Sequence, residues 1–359
     1  MSIDALRGFD MLLIAGGGSF LVRMGGKTGL PFIDWVASQL EHATWHGFTF
    51  YDFIFPLFLF IAGVSLSFSL TSGLAKGVEK KALYKKVFIR MLILIVLDII
   101  YKNAPLNPFD VHQIRFGGVL GRIGIATFLA TILYLNFSTK LRACWAIGIL
   151  LAYYAALFLV PVPGYGPGDL SIEGNLVGWI DRNFMPGRLI QKIYDENAIL
   201  TQFPAMCLTV FGTIAGDILR RDKTNKKKLL TLILLGLGGI ALGLLWNLHF
   251  PINKRLWSSS FILLTTGMAF LFLTLFYGVI DVLGYRKWAF FFQVIGLNSL
   301  VIYYAYHFID FGYTSKMLFS GVYMHAPEQW HNVFQALGAL ALVWTFLYIL
   351  YRKKIFVKI

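Results

Sequence analysis

The stretch DFIFPLFLFIAGVSLSFSLT, residues 52–71, decides the fold, because its only charged side chain is its first residue, Asp52. A helix needs about 20 mainly apolar residues to cross the hydrocarbon core of a bilayer, so this stretch predicts a transmembrane helix. Nine other stretches are similarly apolar: about 5–23, 86–102, 117–136, 142–161, 199–219, 229–248, 257–281, 289–312 and 332–351. The sequence therefore predicts an all-α, polytopic integral membrane protein with about ten transmembrane helices, of which the first and third are the weakest by length.

The composition of the 359-residue chain supports a membrane protein. Hydrophobic residues make up 57% of the chain and charged residues only 14%, against about 25% charged residues in ordinary soluble domains. With a mean hydropathy of +0.68, the chain has more apolar surface than a soluble fold of this size can bury. These values exclude a water-soluble enzyme, a disordered chain and a disulfide scaffold.

Lysine and arginine are concentrated in alternate connections between the predicted spans. Basic residues follow the second, fourth, sixth and eighth spans and the last one, for example in 76–86, 220–228 and 352–358. The positive-inside rule makes this side the cytoplasm, which places both termini there. The net charge of +14 is therefore mainly a signal of topology. It predicts contact with anionic lipid and no nucleic-acid partner.

The remaining connections face outward in this topology, and they hold six of the seven histidines: 24–51, 103–116, 162–198, 249–256 and 313–331. The segment 162–198 is too long for a plain linker, and its glycines and prolines predict turns that pack on the outer mouth of the bundle. We expect residues 1–359 to form a single transmembrane domain, with 162–198 as an extracytoplasmic loop region.

Several charged or polar side chains interrupt the apolar stretches, among them Arg90, Arg122, Asn298 and His307. Such residues are costly inside a membrane, so they usually face a water-filled cavity or pair with one another. Two interpretations stand at this point. Either the residues line a polar cavity that admits a ligand, or they form scattered structural pairs.

The segment EHATWHG, residues 41–47, precedes the span at 52–71 and holds His42 and His46 four residues apart. The two would share a face on a helix, but there is no HExxH motif and no third ligand nearby, so we expect no metal site. Two interpretations remain. The histidines belong to the interfacial aromatic belt beside Trp45, or one of them is a catalytic imidazole that acts as a general base.

Short motifs follow one another in order along almost the whole chain: SIDALRG (2–8), HATWHG (42–47), DFIFPLF (52–58), GVLGR (118–122), PVPG (161–164), IDR (180–182), YD (194–195), PINKRLWS (251–258), GLNS (296–299) and YRKKIF (351–356). Each motif is weak alone, but their joint order is specific. Through them the chain resembles the heparan-α-glucosaminide N-acetyltransferase family of membrane acetyltransferases, in a bacterial form without the lumenal extension of eukaryotic members.

The resemblance implies a reaction. Acetyl-CoA in the cytoplasm donates its acetyl group across the membrane to the free amine of a glucosamine-type sugar on the far side, and heparan sulfate is the acceptor in the family's name. His42 matches the catalytic histidine of the family, whereas relatives can carry asparagine at the position of His46. The resemblance also implies a bacterial inner-membrane location, an acceptor site that faces the periplasm or exterior, no metal, and a homodimer as a further expectation.

Other residues acquire candidate roles from this resemblance. Asp52 either orients His42 or only caps the helix that it begins. Basic residues suit the phosphates of CoA, although each is also explained as a topology charge: Lys85, Lys86, Arg90, Arg352, Lys353 and Lys354. A crevice lined by Arg90, Arg122 and Asn298 would admit the pantetheine arm. Sugar hydroxyls need placed donors and acceptors, and the candidates are Asp181, Arg182, Tyr194, Asp195, Asn253 and His307.

His42 would act as a general base in a ternary complex or would carry the acetyl group itself. Two other functions also fit a bundle with polar residues in its spans. One is a transporter for an amino sugar or another small solute. The other is an O-acyltransferase that acts on an envelope glycan. Counterflow of sugar without acetyl-CoA would indicate transport, and an ester product would indicate O-acylation.

Overall fold

The computed structural model describes residues 1–357, and regular structure in this range is helical apart from two isolated β-bridges. The all-α prediction is confirmed. The helices in chain order are α1 (Ser2–Ile14), α2 (Ser19–Met24), α3 (Pro31–Gln39), α4 (Phe50–Ala75), α5 (Lys80–Lys102), α6 (Val119–Asn136), α7 (Thr139–Leu159), α8 (Leu176–Phe184), α9 (Gln202–Arg220), α10 (Asn225–Trp246), α11 (Ser259–Phe276), α12 (Ala289–Leu297), α13 (Ser299–Phe308), α14 (Phe311–Tyr323) and α15 (His331–Arg352).

Seven helices of the described chain are long and apolar enough to cross a bilayer: α4, α6, α7, α9, α10, α15, and α11 together with the π-helical turn Tyr277–Val282. The pair α12 and α13 passes the same test as one broken span, with a bend of 72° between its halves. The chain is therefore a polytopic integral membrane protein with seven or eight candidate spans. The polytopic membrane prediction is confirmed at this level.

The first and third predicted spans form helices that are less suited to cross a membrane. The first is divided, because α1 ends at Ile14 and a turn that includes Gly16, with φ of +76°, separates it from the short α2. The third corresponds to α5, which is 23 residues long but has five lysines and arginines in its first half, KKALYKKVFIR. The count of ten spans and the cytoplasmic position of the termini therefore stay predictions.

The chain divides into two compact units. The first unit comprises Met1–Ala43, Phe48–Phe55 and the described residues from Leu275 onward. The second unit comprises Thr44–Gly47 and Pro56–Thr274.

In the first unit, α1 packs closely against α12, with glycines at the contact. A Cβ atom added to Gly8 would lie 1.7 Å from the backbone oxygen of Phe292, and one added to Gly296 would lie 2.0 Å from the backbone oxygen of Asp4. Small residues permit such contacts between membrane helices. In the same unit, α2 packs on both α3 and α15, and α14 packs on α15.

In the second unit, α9 contacts α6, α7 and α10, and its glycines lie against α4. A Cβ atom at Gly212 would lie 2.0 Å from the backbone oxygen of Phe60. Near the end of α9, the carboxylate of Asp217 accepts hydrogen bonds from Arg142, Thr139 and Arg220. This network joins α7 to α9, so the arginine and aspartate at this end of the unit form a structural ion-pair network.

The segment 162–198 consists of turns and the short helix α8, as its glycines and prolines predict. Gly164, Gly166 and Gly168 all have φ values between +77° and +86°, which favour glycine. Leu176 and Val177 of α8 belong to a buried hydrophobic cluster with residues of α7 and of the 249–256 connection, such as Leu157 and Phe250. The segment is therefore packed onto the second unit and is not a separate domain of its own.

Candidate active site

His42 and Asp52 form a hydrogen-bonded pair in the first unit. His42 lies in the loop between α3 and α4, and Asp52 lies in the first turn of α4. The His42 Nδ1 atom is 2.7 Å from Asp52 Oδ1. The Asp52 side chain is 1% exposed, whereas the His42 side chain is 34% exposed. The pair therefore joins a buried carboxylate to an imidazole that a reactant can reach.

The second oxygen of Asp52 holds the surrounding loop in place. Asp52 Oδ2 accepts hydrogen bonds from the backbone N–H of Ala43 at 3.2 Å, the backbone N–H of Thr49 at 3.1 Å and the hydroxyl of Thr49 at 3.1 Å. The contact with Thr49 N–H caps the start of α4, and the contact with Ala43 fixes the residue next to His42. The geometry thus accommodates both roles expected for Asp52, the capping of α4 and the orientation of His42.

The contact with Asp52 determines which nitrogen of a neutral His42 is basic. A carboxylate accepts a hydrogen bond only from a nitrogen that bears a hydrogen. In the neutral ring, Nδ1 therefore carries the hydrogen and Nε2 carries the lone pair. The ring of Tyr51 lies with its centroid 4.7 Å from the centroid of His42 and limits rotation of the imidazole. An imidazole held in this way can take a proton at Nε2 or attack an electrophile there.

His46 belongs to the second unit and has different neighbours from His42. Its Nδ1 lies 3.3 Å from Asn253 Nδ2, so the amide donates and the ring accepts. Burial lowers the pKa of His46, which favours the neutral ring. Among residues 1–357 no three histidine, cysteine or acidic side chains are placed to hold a metal ion.

Asn253 is fully buried and orders the turn that follows it. Its Oδ1 accepts from the backbone N–H of Leu256 at 2.9 Å, and its own N–H donates to the hydroxyl of Ser258 at 3.0 Å. The connection 251–258 is therefore held by the asparagine that was predicted to bind sugar. Its side-chain amide also contacts the ring of His46.

Four other predicted sugar-binding residues lie together in the second unit. Asp195 accepts two hydrogen bonds from Arg115, at 2.7 and 3.0 Å, and both side chains are buried. The backbone N–H of Asp195 donates to Asp181 Oδ2 at 3.1 Å. The ring of Tyr194 lies 5.3 Å from that of Trp45, and Arg182 donates to the backbone oxygens of Glu173 and Ile193.

Loss of the Asp195 carboxylate is expected to destabilise this unit. Asp195→Ala leaves the Arg115 guanidinium buried without its counter-charge, so we expect a loss of about 3–5 kcal/mol in the free energy of unfolding. The measurement is the unfolding midpoint of the detergent-solubilised protein. Glu173→Ala, which removes an exposed carboxylate from the same loop region, is the control. An Asp195→Ala midpoint equal to that of the control would show that the ion pair contributes no net stability.

Asp181 is expected to make the stability of the protein depend on pH. Burial is the main cause that raises its pKa, to about 7. The folded protein therefore holds a proton on Asp181 that the unfolded chain releases. The contribution of this protonated group to the free energy of unfolding is complete at acidic pH and is lost as the pH rises through about 7. Asp181→Asn removes the ionisation. As the pH rises from about 5 to about 8, the unfolding midpoint of this variant should therefore increase relative to that of the wild type. A constant difference across that range would contradict the assignment.

Arg122 is fully buried in the second unit. In the described part of the chain, some of the hydrogen-bond donors of its guanidinium have a partner and others do not. Its guanidinium carbon lies 4.3 Å from the ring centroid of Trp257, and Nη2 donates to Thr201 and to the backbone oxygen of Glu196. Within the described residues, Nε and Nη1 have no hydrogen-bond partner. Buried N–H groups usually have a partner, so these two donors indicate a site for water or for a polar ligand.

The residues around Arg122 include charged side chains that sequence reasoning did not select. The Glu196 side chain pairs with Arg255 at 2.8 Å. Burial alone would raise the pKa of Glu196, but the charges of Lys254 and Arg255 outweigh burial and lower it. Arg255 and Lys254 stand within the motif PINKRLWS, and Glu196 follows the motif YD. The motifs could have drawn attention to these three residues, because the residues lie in them or directly beside them. The sequence gives no sign that Glu196 pairs with Arg255.

The candidates for CoA binding fall in both units. Lys85, Lys86 and Arg90 are exposed on α5 in the second unit, and Arg352, Lys353 and Lys354 are exposed at the end of α15 in the first unit. Asn298 is fully buried between α12 and α13. Its Nδ2 donates to the backbone oxygen of Ile355 at 3.0 Å, and its Oδ1 accepts from the backbone N–H of Val357 at 3.2 Å. The structure thus joins Asn298 to the basic tail.

Comparison with the sequences of known proteins places this chain in a family. A family sequence model described as heparan-α-glucosaminide N-acetyltransferase, catalytic, matches residues 1–251, a range that contains both His42 and Asp52. The human heparan-α-glucosaminide N-acetyltransferase is 30% identical over 412 aligned residues, which cover 100% of this chain and 59% of the human protein. The mouse protein is 29% identical over 415 residues, which cover 99% of this chain and 60% of the mouse protein.

The chain therefore spans about three-fifths of the length of these curated relatives. The family match extends over most of the chain and includes the histidine–aspartate pair, while Asn253, Asn298, His307 and the basic tail lie beyond the matched residues. On this basis the chain belongs to the heparan-α-glucosaminide N-acetyltransferase family of membrane acetyltransferases.

Proposed function

We propose that the protein is a transmembrane N-acetyltransferase. It moves the acetyl group of cytoplasmic acetyl-CoA to the amine of a glucosamine-type sugar on the extracytoplasmic side. The observation that carries the proposal is the 2.7 Å contact between His42 Nδ1 and the buried carboxylate of Asp52, inside the range matched by the family. This pair is the arrangement that a general base needs.

The ternary route uses the pair as a base. The protonated amine of the sugar first releases one proton to water, and the neutral nitrogen then attacks the carbonyl carbon of the thioester. As the C–N bond forms, His42 Nε2 accepts the second proton, and the C–S bond breaks to release CoA as a thiolate. The imidazolium returns this proton to the CoA sulfur, and Asp52 stabilises the imidazolium in the meantime.

The two-step route uses the same pair differently. His42 Nε2 attacks the thioester carbonyl, the C–S bond breaks and CoA leaves as a thiolate, while the acetyl-imidazolium that forms keeps its hydrogen on Nδ1 toward Asp52. The sugar amine then attacks this acetyl group, the bond from carbon to Nε2 breaks, and the amine proton passes to the imidazole. The two routes are distinguished by incubation with acetyl-CoA alone, because only the two-step route adds one acetyl mass to the protein.

Charged and polar side chains are assigned to the two substrates by their chemistry. For acetyl-CoA we assign the phosphates to the exposed basic residues of α5 and of the tail, since lysine and arginine suit phosphate. The Nε and Nη1 donors of Arg122, which have no hydrogen-bond partner within residues 1–357, support a contact with the pantetheine amides, for which Arg90 and Asn298 are the other candidates. For the sugar we assign the residues Asp181, Arg182, Tyr194, Asp195, Asn253 and His307.

The proposal also covers the setting of the enzyme. The whole chain, residues 1–359, acts as one transmembrane domain in a bacterial inner membrane. Its termini lie in the cytoplasm, and its acceptor site faces the periplasm or exterior, with 162–198 on that outer side. The functional assembly is a homodimer, as the family implies, and the reaction uses no metal.

Product analysis tests this function directly. The purified protein is incubated with acetyl-CoA and glucosamine, and the products are identified by mass spectrometry and by their stability to mild base. An N-acetyl amide that depends on the protein supports the proposal. A base-labile ester would instead indicate the O-acyltransferase. Sugar counterflow in proteoliposomes without acetyl-CoA, with no acetylated product, would indicate the transporter.

A further inference from the structure

The first unit contains an open cavity of about 510 Å³ that takes no part in the proton and acetyl transfers proposed for His42, although His307, one of the residues assigned to the sugar, lies in its wall. It is lined by residues of the turn after α1, of α2, of the α13–α14 connection and of α15. Its volume is in the range of about 300–1,000 Å³ that is usual for sites of small ligands. All of the residues that line the cavity belong to the first unit.

The lining of the cavity combines opposite charges with amide and aromatic groups. Arg23 supplies a cation, Asp310 a carboxylate and Gln335 an amide, and His307 and Tyr306 add an imidazole and a phenol. A ring of mixed donors and acceptors beside an aromatic face suits a hydroxyl-rich ligand, because each hydroxyl both donates and accepts. A purely apolar ligand would displace water from these charged groups and give them no hydrogen-bond partner in its place.

The polar groups are held in place by the backbone of the same unit. Arg23 Nη1 donates to the backbone oxygen of Asn332 at 2.9 Å, which ties α2 to the start of α15. Asp310 Oδ1 accepts from the backbone N–H of Tyr313 at 2.8 Å and caps α14. Gln335 Nε2 donates to the backbone oxygen of Gly312 at 2.9 Å. Each of the three side chains therefore has one internal contact that fixes its position at the wall.

The cavity is connected to the loop of His42 through one short turn. Gly16 lines the cavity. Two residues later, a Cβ atom at Gly18 would lie 3.2 Å from the side chain of Leu40, which precedes His42 by two positions. The helix α2 that follows this turn also packs on α3, the helix that leads to His42. A ligand that fills the cavity thus contacts the same turn that supports the histidine loop.

We infer that this cavity is a second sugar subsite, which binds the unit of the acceptor glycan next to the glucosamine that is acetylated. The inference rests on the proposed function, which it extends from a single amino sugar to an oligosaccharide acceptor. Arg23 and Gln335 would bind hydroxyl oxygens of the neighbouring sugar, and Asp310 would accept from a hydroxyl or an ammonium group of that sugar.

Kinetics with two acceptors test the subsite. We compare free glucosamine with the β-linked disaccharide of two glucosamines, and we use the variants Arg23→Gln and Asp310→Asn. Asparagine is as good a helix cap as aspartate, so the second variant keeps the start of α14. The wild type should have a KM for the disaccharide about tenfold below that for glucosamine, and each variant should lose most of this advantage with kcat and the glucosamine KM unchanged.

Lys27→Gln and Glu328→Gln are the matched controls, because each removes a charge of the same sign from the same unit at a residue outside the cavity wall. Equal KM values for the two acceptors in the wild type would overturn the subsite. An unchanged disaccharide KM in both cavity variants would overturn it as well.

Saturation-transfer NMR with the disaccharide gives a second readout that needs no turnover. Binding that is lost in Arg23→Gln and Asp310→Asn, but kept in the controls, supports the subsite even if the protein acetylates neither acceptor. Acetylation of glucosamine without a disaccharide advantage would keep the proposed function and reject the subsite. The two proposals therefore fail in different ways.

Discussion

His42→Ala is expected to reduce acetyl transfer by at least about 10²–10⁴-fold, the usual contribution of a general base. The loss follows because the variant has no group to take the proton from the sugar amine, and no imidazole to carry the acetyl group in the two-step route. His42 is one-third exposed, so its removal should leave the fold and the binding of acetyl-CoA unchanged. The measurement is the rate of N-acetylglucosamine formation, with the unfolding midpoint recorded for the same preparation.

His325→Ala is the control for this variant, because His325 is an exposed histidine in the same unit and lies in the connection between α14 and α15. Its turnover should equal that of the wild type. Turnover of His42→Ala at the wild-type rate would remove the histidine from the mechanism in either route.

Asp52→Asn is expected to reduce turnover by a similar factor, although it only replaces one carboxylate oxygen with an NH₂ group. The asparagine oxygen would accept from Ala43 and Thr49, as Asp52 Oδ2 does. Its NH₂ group would then face His42 Nδ1 and donate to it, which moves the ring hydrogen to Nε2. Because an Nε2 that bears the hydrogen is neither a base nor a nucleophile, we expect a loss of about 10²–10⁴-fold in kcat.

The control for this variant is Asp34→Asn. Asp34 also lies in the first turn of a helix in the same unit, where it accepts from the backbone N–H of Gly26 at 2.7 Å. It should leave kcat unchanged. If Asp52→Asn retained full activity at an unaltered unfolding midpoint, Asp52 would only cap α4 and the tautomer of His42 would be set by other contacts.

Much of the membrane architecture was predictable from the apolar stretches. Each of the seven candidate spans matches a predicted stretch within a few residues, because length and apolar composition are local properties of the sequence. The first stretch was less certain, since the glycines at 16–18 are compatible with either close helix packing or a break, and the structure has a turn there with Gly16 at φ of +76°. The third stretch was also less certain. The lysines of α5 indicate the cytoplasmic side, but they also make the helix less apolar and so less suited to cross a membrane.

The candidate site was predictable in part. His42 and Asp52 are only ten residues apart, and both stand in motifs that the family resemblance covers. The ion pair of Arg115 and Asp195 joins residues 80 positions apart, so only the folded chain reveals it. The contact of Asn298 with the backbone of Ile355 joins residues 57 positions apart, so it too is revealed only by the folded chain.

The polar residues of the spans illustrate why a sequence leaves two interpretations open. Arg142 is engaged by Asp217, as the interpretation of structural pairs expects. Arg122 is different, because Thr201, Glu196 and Trp257 engage only part of its guanidinium. The cost of a charge in the membrane depends on its partners, and partners come from distant parts of the chain.

The most direct test of the account is acetyl transfer across a sealed membrane. Proteoliposomes are prepared with the protein in a known orientation, with radiolabelled acetyl-CoA on the side of the basic connections and glucosamine on the other side only. We predict labelled N-acetylglucosamine on the glucosamine side with the wild type and none above background with His42→Ala. Product that forms only when both substrates are on the same side, or that forms equally with His42→Ala, would contradict transfer across the membrane by the His42–Asp52 pair.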